Sequence, residues 1–132
     1  MITTVVALFG SIVAILSLRA NSHLARSKNA LDFEKSLEDS SVYNTCNKQL
    51  ASFRDNSNSE PSAILLIAKK PEIDYEVYDA AIELLNWWER GANGIRNKVY
   101  RNDVLRKLYC SHFINLSTYL EPFIIERRKQ RL

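Results

Sequence analysis

The chain has 132 residues, 46% of them apolar, with 18 Lys and Arg against 15 Asp and Glu, two Cys, three Gly and three Pro. A formal net charge of +3 is modest for a nucleic-acid binder, and two cysteines without dense spacing do not make a disulfide-stapled secreted scaffold. Scarce Gly and Pro, apolar residues recurring at spacings of three and four, and no pair of strands with a hairpin signal give an all-α fold class.

Residues 1–18, MITTVVALFGSIVAILSL, carry no charged side chain, and Arg19, Arg26 and Lys28 follow before the first acid, Asp32. As a helix this run reaches about 27 Å, slightly short of a ~30 Å hydrocarbon core, so it is expected to span a bilayer once as an anchor. A cleaved signal peptide is the competing reading. Nothing basic precedes the run, however, and its only candidate cleavage site, Leu18-Arg19-Ala20, is poor. A buried core helix is usually shorter and amphipathic, whereas this run is apolar on nearly every face. Basic flanks stay on the cytoplasmic side, so Arg19, Arg26 and Lys28 set an expected topology in the inner (plasma) membrane with the N-terminus out and residues 19–132 cytoplasmic. Thr3, Ala7, Gly10, Ala14 and Ser17 follow a 4-3-4-3 spacing that lines small residues along one helix face, a candidate surface for self-association in the membrane.

After the anchor about 110 residues remain, enough for one domain with a single core. The first helix is expected to continue out of the bilayer, with Ala30, Phe33 and Leu37 on one face. A phase change at Asp39, Ser40 and Ser41 starts a second helix, with good N-capping residues at the junction. These juxtamembrane helices cover residues 19–54, a polar loop covers 55–61, and a helical core covers 62–132. Pro61 opens a short apolar helix that Pro71 ends, and Asp74 begins a longer one whose end weakens at Gly91 and Gly94. Beyond Val99 and Tyr100, Asn102 or Asp103 is expected to cap a helix through Tyr109. A last helix runs from about Phe113 to Arg128, with Pro122 as a kink or break.

No motif for chemistry accompanies these elements. His23 and His112 lack metal-ligand company, Cys110 and His112 are two residues apart and point to different sides of a helix, and no catalytic base accompanies a cysteine. Gly91 and Gly94 do not make a phosphate loop. Catalytic, cofactor and metal residues are therefore all expected to be none, with no small-molecule substrate and no nucleic acid. The basic C-terminus, Glu126 to Arg131, reads best as a solvated helix end. In Leu84 to Arg90, LLNWWER, the two Trp cannot share a face, and Asn86 and Glu89 are neighbours that would need a partner such as Arg127. A structural polar network of Asn86, Glu89 and Arg127 is the expectation, and a membrane-tethered enzyme centred on Glu89 is the alternative.

ARSKNALDF at 25–33, LLNWWERGANGIRNKVY at 84–100 and LEPFIIERR at 120–128 together resemble the DUF4760 family of small membrane-anchored helical proteins of bacteria and their phages. Asn86, Trp87, Trp88, Glu89, Gly94, Ile95, Pro122 and Arg127 stand at the matching places, while Ala30 replaces the usual Thr and removes a hydroxyl there. The resemblance implies architecture and topology and gives no reaction, since the family's activity is unassigned. The resulting expectation is a non-enzymatic, single-pass protein whose partners are membrane lipid and another protein or itself. The phage element of the resemblance adds a role in phage–host interference such as superinfection exclusion. A secreted helical protein cleaved after Ala20 is the remaining alternative.

Overall fold

A computed structural model describes residues 2–131, with the side chains of residues 108–110 outside the description. All five long elements are helices: α1 Ile2–Asp39, α2 Ser41–Asn56, α3 Pro61–Lys69, α4 Tyr75–Arg96 and α5 Asn102–Gln130. A 3-10 turn, Pro71–Ile73, joins α3 to α4, and no strand occurs among the described residues.

Helix α1 has two parts with opposite environments. Every residue from Ile2 to Ala25 is exposed, including Phe9 at 70% and Leu18 at 69%, whereas Ala30 is wholly buried, as nearly are Phe33 and Leu37. Nothing breaks the helix between the two parts, so an arm of about 36 Å stands clear of the packed domain and is rigidly continuous with it. Residues 19–25 belong to this arm, and packing begins only at Arg26. The apolar part of α1 meets the length and hydropathy of a membrane-crossing helix, with none of that window buried.

The domain is built along α4. Ser40 Oγ accepts a bond from the Tyr43 amide and starts α2, which lies antiparallel to α4: Tyr43 meets Trp87 at one end, and Phe53 faces Val77 at the other. Asp74 Oδ1 accepts from the Val77 amide and caps α4. Helix α5 returns antiparallel to α4, with Trp88 against Phe113 and Tyr78 against Phe123. The short α3 packs beside the C-terminal half of α5, where Gln130 Nε2 donates to the Ala68 carbonyl at 3.2 Å. Phe123, Leu120, Leu84, Ile64, Ile67, Leu50 and Leu37 are the largest fully buried side chains.

Three boundaries differ from the sequence reading. Helix α2 continues to Asn56, leaving Ser57–Glu60 as the connection, with Asn58 and Ser59 both in the left-handed region. At the start of α5, Arg101 rather than Asn102 or Asp103 occupies the cap position; Asp103 sits in the first turn, where its carboxylate accepts from the Arg101 guanidinium. Most importantly, α5 is one helix of 29 residues. The expected division near Leu108, Tyr109 and Cys110 falls where side chains lie outside the described residues, but the backbone is helical throughout. Pro122 lies inside α5 because Leu120 and Phe123, each wholly buried, hold the chain on both sides. Two such burials, at about 1.5–3 kcal/mol each, offset the roughly 3 kcal/mol that an interior proline costs.

Candidate functional site

Where α1 enters the domain it is clasped by the α4–α5 turn. The Arg101 amide donates to the Arg26 carbonyl at 3.4 Å, Arg26 Nη2 to the Tyr100 carbonyl at 3.3 Å, Asn29 Nδ2 to the Val99 carbonyl at 3.3 Å, and Arg101 Nη1 to Ser27 Oγ at 3.1 Å. Tyr100 is the keystone. Its ring stacks on Phe33 with centroids 5.2 Å apart and covers Gly94 so closely that a β-carbon there would collide with ring atoms. Lys98 takes a left-handed conformation at φ 58° to make this turn possible.

Beside the clasp, α4 and α5 diverge over a cavity of about 230 Å³. Phe33 from α1, Trp88, Gly91 and Ile95 from α4, and Leu105 and Phe113 from α5 give it an apolar wall, while Asn102 and Arg106 supply its polar rim. Gly91 and Ala92 present little side chain to the cavity, and a β-carbon added at Gly91 would meet the Phe33 ring at 3.2 Å. A second groove of about 260 Å³ between α2 and α5 is more polar, with Asn47, Arg54, His112 and Asn115 in its lining.

The two Trp separate as their adjacency requires. Trp87 packs against Phe33 and Tyr43 and carries the Arg90 guanidinium 5.0 Å from its ring centroid; Trp88 turns to Phe113 and His112 on α5. The expected network of Asn86, Glu89 and Arg127 does not assemble. Asn86 and Glu89 are exposed, because Val77, Ala80, Ala81, Leu84 and Gly91 take the covered faces of α4. Arg127 lies at the opposite end, donating to Gln130 Oε1 at 3.2 Å, with its guanidinium 5.5 Å from the Tyr78 ring centroid. Tyr78 and Glu89 are eleven residues apart on α4, about 16 Å along its axis, which no arginine side chain bridges from that position.

Residues 4–132, almost the whole chain, match the family described as Domain of unknown function (DUF4760). The chain belongs to the DUF4760 family. No curated protein and no solved structure matches it. In this DUF4760 protein the motif residues Gly94 and Ile95 serve the clasp and the cavity: Gly94 admits the Tyr100 ring, and Ile95 lines the apolar wall.

Among the described residues no three His, Cys, Asp or Glu side chains converge on one point. Burial pushes the Cys46 thiol up, and the carboxylates of Glu83 and Asp79 push it further, which disfavours the nucleophilic thiolate. The small-residue set Thr3, Ala7, Gly10, Ala14 and Ser17 is exposed along the arm, and a β-carbon on Gly10 would meet nothing within 4 Å. Arg19 and Lys28 are exposed near the domain end of the arm, and Arg26 is engaged in the clasp. The cavity itself went unrecognised in the sequence reading. Phe113 and Arg106 join it only because α5 is continuous, and the sole local signal was the pair of small residues, Gly91 and Ala92, next to Trp88.

Proposed function

We propose that this DUF4760 protein is a non-enzymatic, single-pass protein of the inner membrane. Its N-terminus lies outside, and its cytoplasmic helical domain binds another protein through the apolar cavity between α4 and α5. The observation that carries this reading is the exposed apolar arm of α1, uninterrupted into the packed domain. Exposed leucines, valines and isoleucines over such a length favour a hydrocarbon environment by about 0.3–0.6 kcal/mol each. The absence of acids and the presence of Arg19, Arg26 and Lys28 after the span favour a cytoplasmic domain.

The cavity supports protein binding in particular. Its lining is apolar apart from Asn102 and Arg106, which suits an apolar side chain from a partner, with the rim charge available for a carboxylate. Glu89 is exposed and lines none of the cavities described above, so the geometry lends nothing to an enzyme built around it. The exposed small-residue face of the arm provides a separate route for the chain to pair with itself. Phage–host interference, such as superinfection exclusion, fits a module held at the bilayer that acts by contact.

A photo-reactive benzoylphenylalanine at Ala92, an exposed residue of the cavity rim, tests the binding surface in intact membranes. One reproducible crosslinked protein is expected from Ala92 and none from the same probe at Glu34. Equal crosslinking from both positions, or none from Ala92, would contradict the assignment.

A further inference from the structure

The fold segregates charge in a way that the linear sequence hides. Residues 19–28 and 96–107 are separated by almost seventy positions, yet the clasp brings them together at the arm end of the domain. These two segments hold eight of the eighteen Lys and Arg and one of the fifteen acids. That acid, Asp103, is engaged by Arg101, which holds its carboxyl below the usual range. The arm end therefore carries a formal charge of +7, and the rest of the chain carries −4.

The position of this patch relative to the hydrophobic segment is set by an unbroken helix. Arg26, whose carbonyl receives the Arg101 amide, lies eight residues beyond Leu18, about 12 Å along α1. The headgroup layer occupies roughly 5–8 Å on each side of the hydrocarbon core, so the turn sits within about one Debye length, ~8–10 Å, of the phosphates. Helix α4 runs antiparallel to α1, and Gly91 is level with Phe33, which places Arg96 near the level of Lys28. Arg96 and Lys98 are exposed, and Val99 at the tip is 43% exposed. The other basic group, Arg127, Arg128, Lys129 and Arg131, lies at the far end of α5, about 42 Å from its start, and cannot share this surface.

We infer that the α4–α5 turn is a membrane-docking surface. Arg96 and Lys98, together with Arg19 and Lys28 of α1, bind the anionic headgroups of the bilayer in which the arm is anchored and so fix the domain's angle to the membrane. This rests on the anchor reading given above. The docked pose turns the cavity mouth, which shares Asn102 and Arg106 with the same end of α5, toward partners lying close to the membrane.

The test uses the full chain with Cys46 and Cys110 replaced by Ser and Asn97→Cys labelled with an environment-sensitive nitrobenzoxadiazole. It is reconstituted into vesicles of phosphatidylcholine, or of phosphatidylcholine with phosphatidylglycerol. The label is expected to be quenched several-fold more strongly by headgroup spin labels in the anionic vesicles. That excess should vanish near 1 M salt, where the Debye length is about 3 Å, and in the R96E/K98E variant. Equal quenching in both vesicle types overturns the inference while leaving the anchor intact. Failure of the chain to float with either vesicle overturns the anchor reading, and the inference with it. Trypsin cleavage after Lys98 in the unmodified chain supplies a readout independent of the cysteine changes: slower cleavage in anionic vesicles is expected, and equal rates contradict docking.

Discussion

At the scale of single residues, the contact between Gly94 and Tyr100 explains more of the molecule than any charged group. The Tyr100 ring fills the place of a Gly94 side chain and stacks on Phe33, so one glycine joins α4, the turn and α1. Gly94→Ala has to displace that ring, and overpacking of this kind costs about 1–3 kcal/mol. Chemical denaturation should show a loss in that range for G94A, whereas Gly10→Ala should leave the domain's stability unchanged, since Gly10 has open space around it. The sequence reading noted Gly94 as a weakening helix end, which is the local meaning of glycine. Its tertiary meaning depends on a ring six residues later folding back, and no local spacing reports that. The same limit applies to Asn86 and Glu89: their adjacency was legible, but their exposure was decided by which side of α4 faces α2 and α5.

At the scale of elements, termini with a strong local cause were read well and the long C-terminal helix was not. Ser40 and Asp74 each accept a bond from the amide three residues on, and Pro61 and Pro71 bracket α3. Caps and prolines act through neighbouring atoms, which is why composition reveals them. Replacing Asp74 by Ala removes the cap of the helix that carries both Trp and the cavity wall. A stability loss of about 1 kcal/mol is expected by thermal denaturation, with Asp74→Asn retaining most of it. The sequence divides α5 into one helix through Tyr109 and another from about Phe113, whereas the backbone is a single helix. Residues 111–115 are all exposed even though the backbone stays helical. Burial at Leu105 on one side and at Leu120 and Phe123 on the other carries the helix across this uncovered stretch and past Pro122.

At the scale of the whole molecule, an exposed apolar arm and a packed domain share one unbroken helix. On the proposed membrane-anchored reading, pairing of the arm through Thr3, Ala7, Gly10, Ala14 and Ser17 would reach Arg26, Phe33 and the clasp along one unbroken helix. The uncharged segment and its basic flank were legible at once, because hydropathy is a property of composition. The charge segregation was not, because half of it is contributed by a turn that only the fold brings to the arm. The proposed function requires the arm to reside in a bilayer, and alkaline carbonate extraction of membranes from cells making the full chain tests this most directly. The chain is predicted to remain in the pellet with Met1 intact by mass spectrometry. A variant carrying both Ile12→Arg and Leu16→Arg, at about 2.5–3.5 kcal/mol per buried charge, is predicted to be released. Recovery of the unaltered chain in the soluble fraction, or of a chain beginning after Ala20, would contradict it.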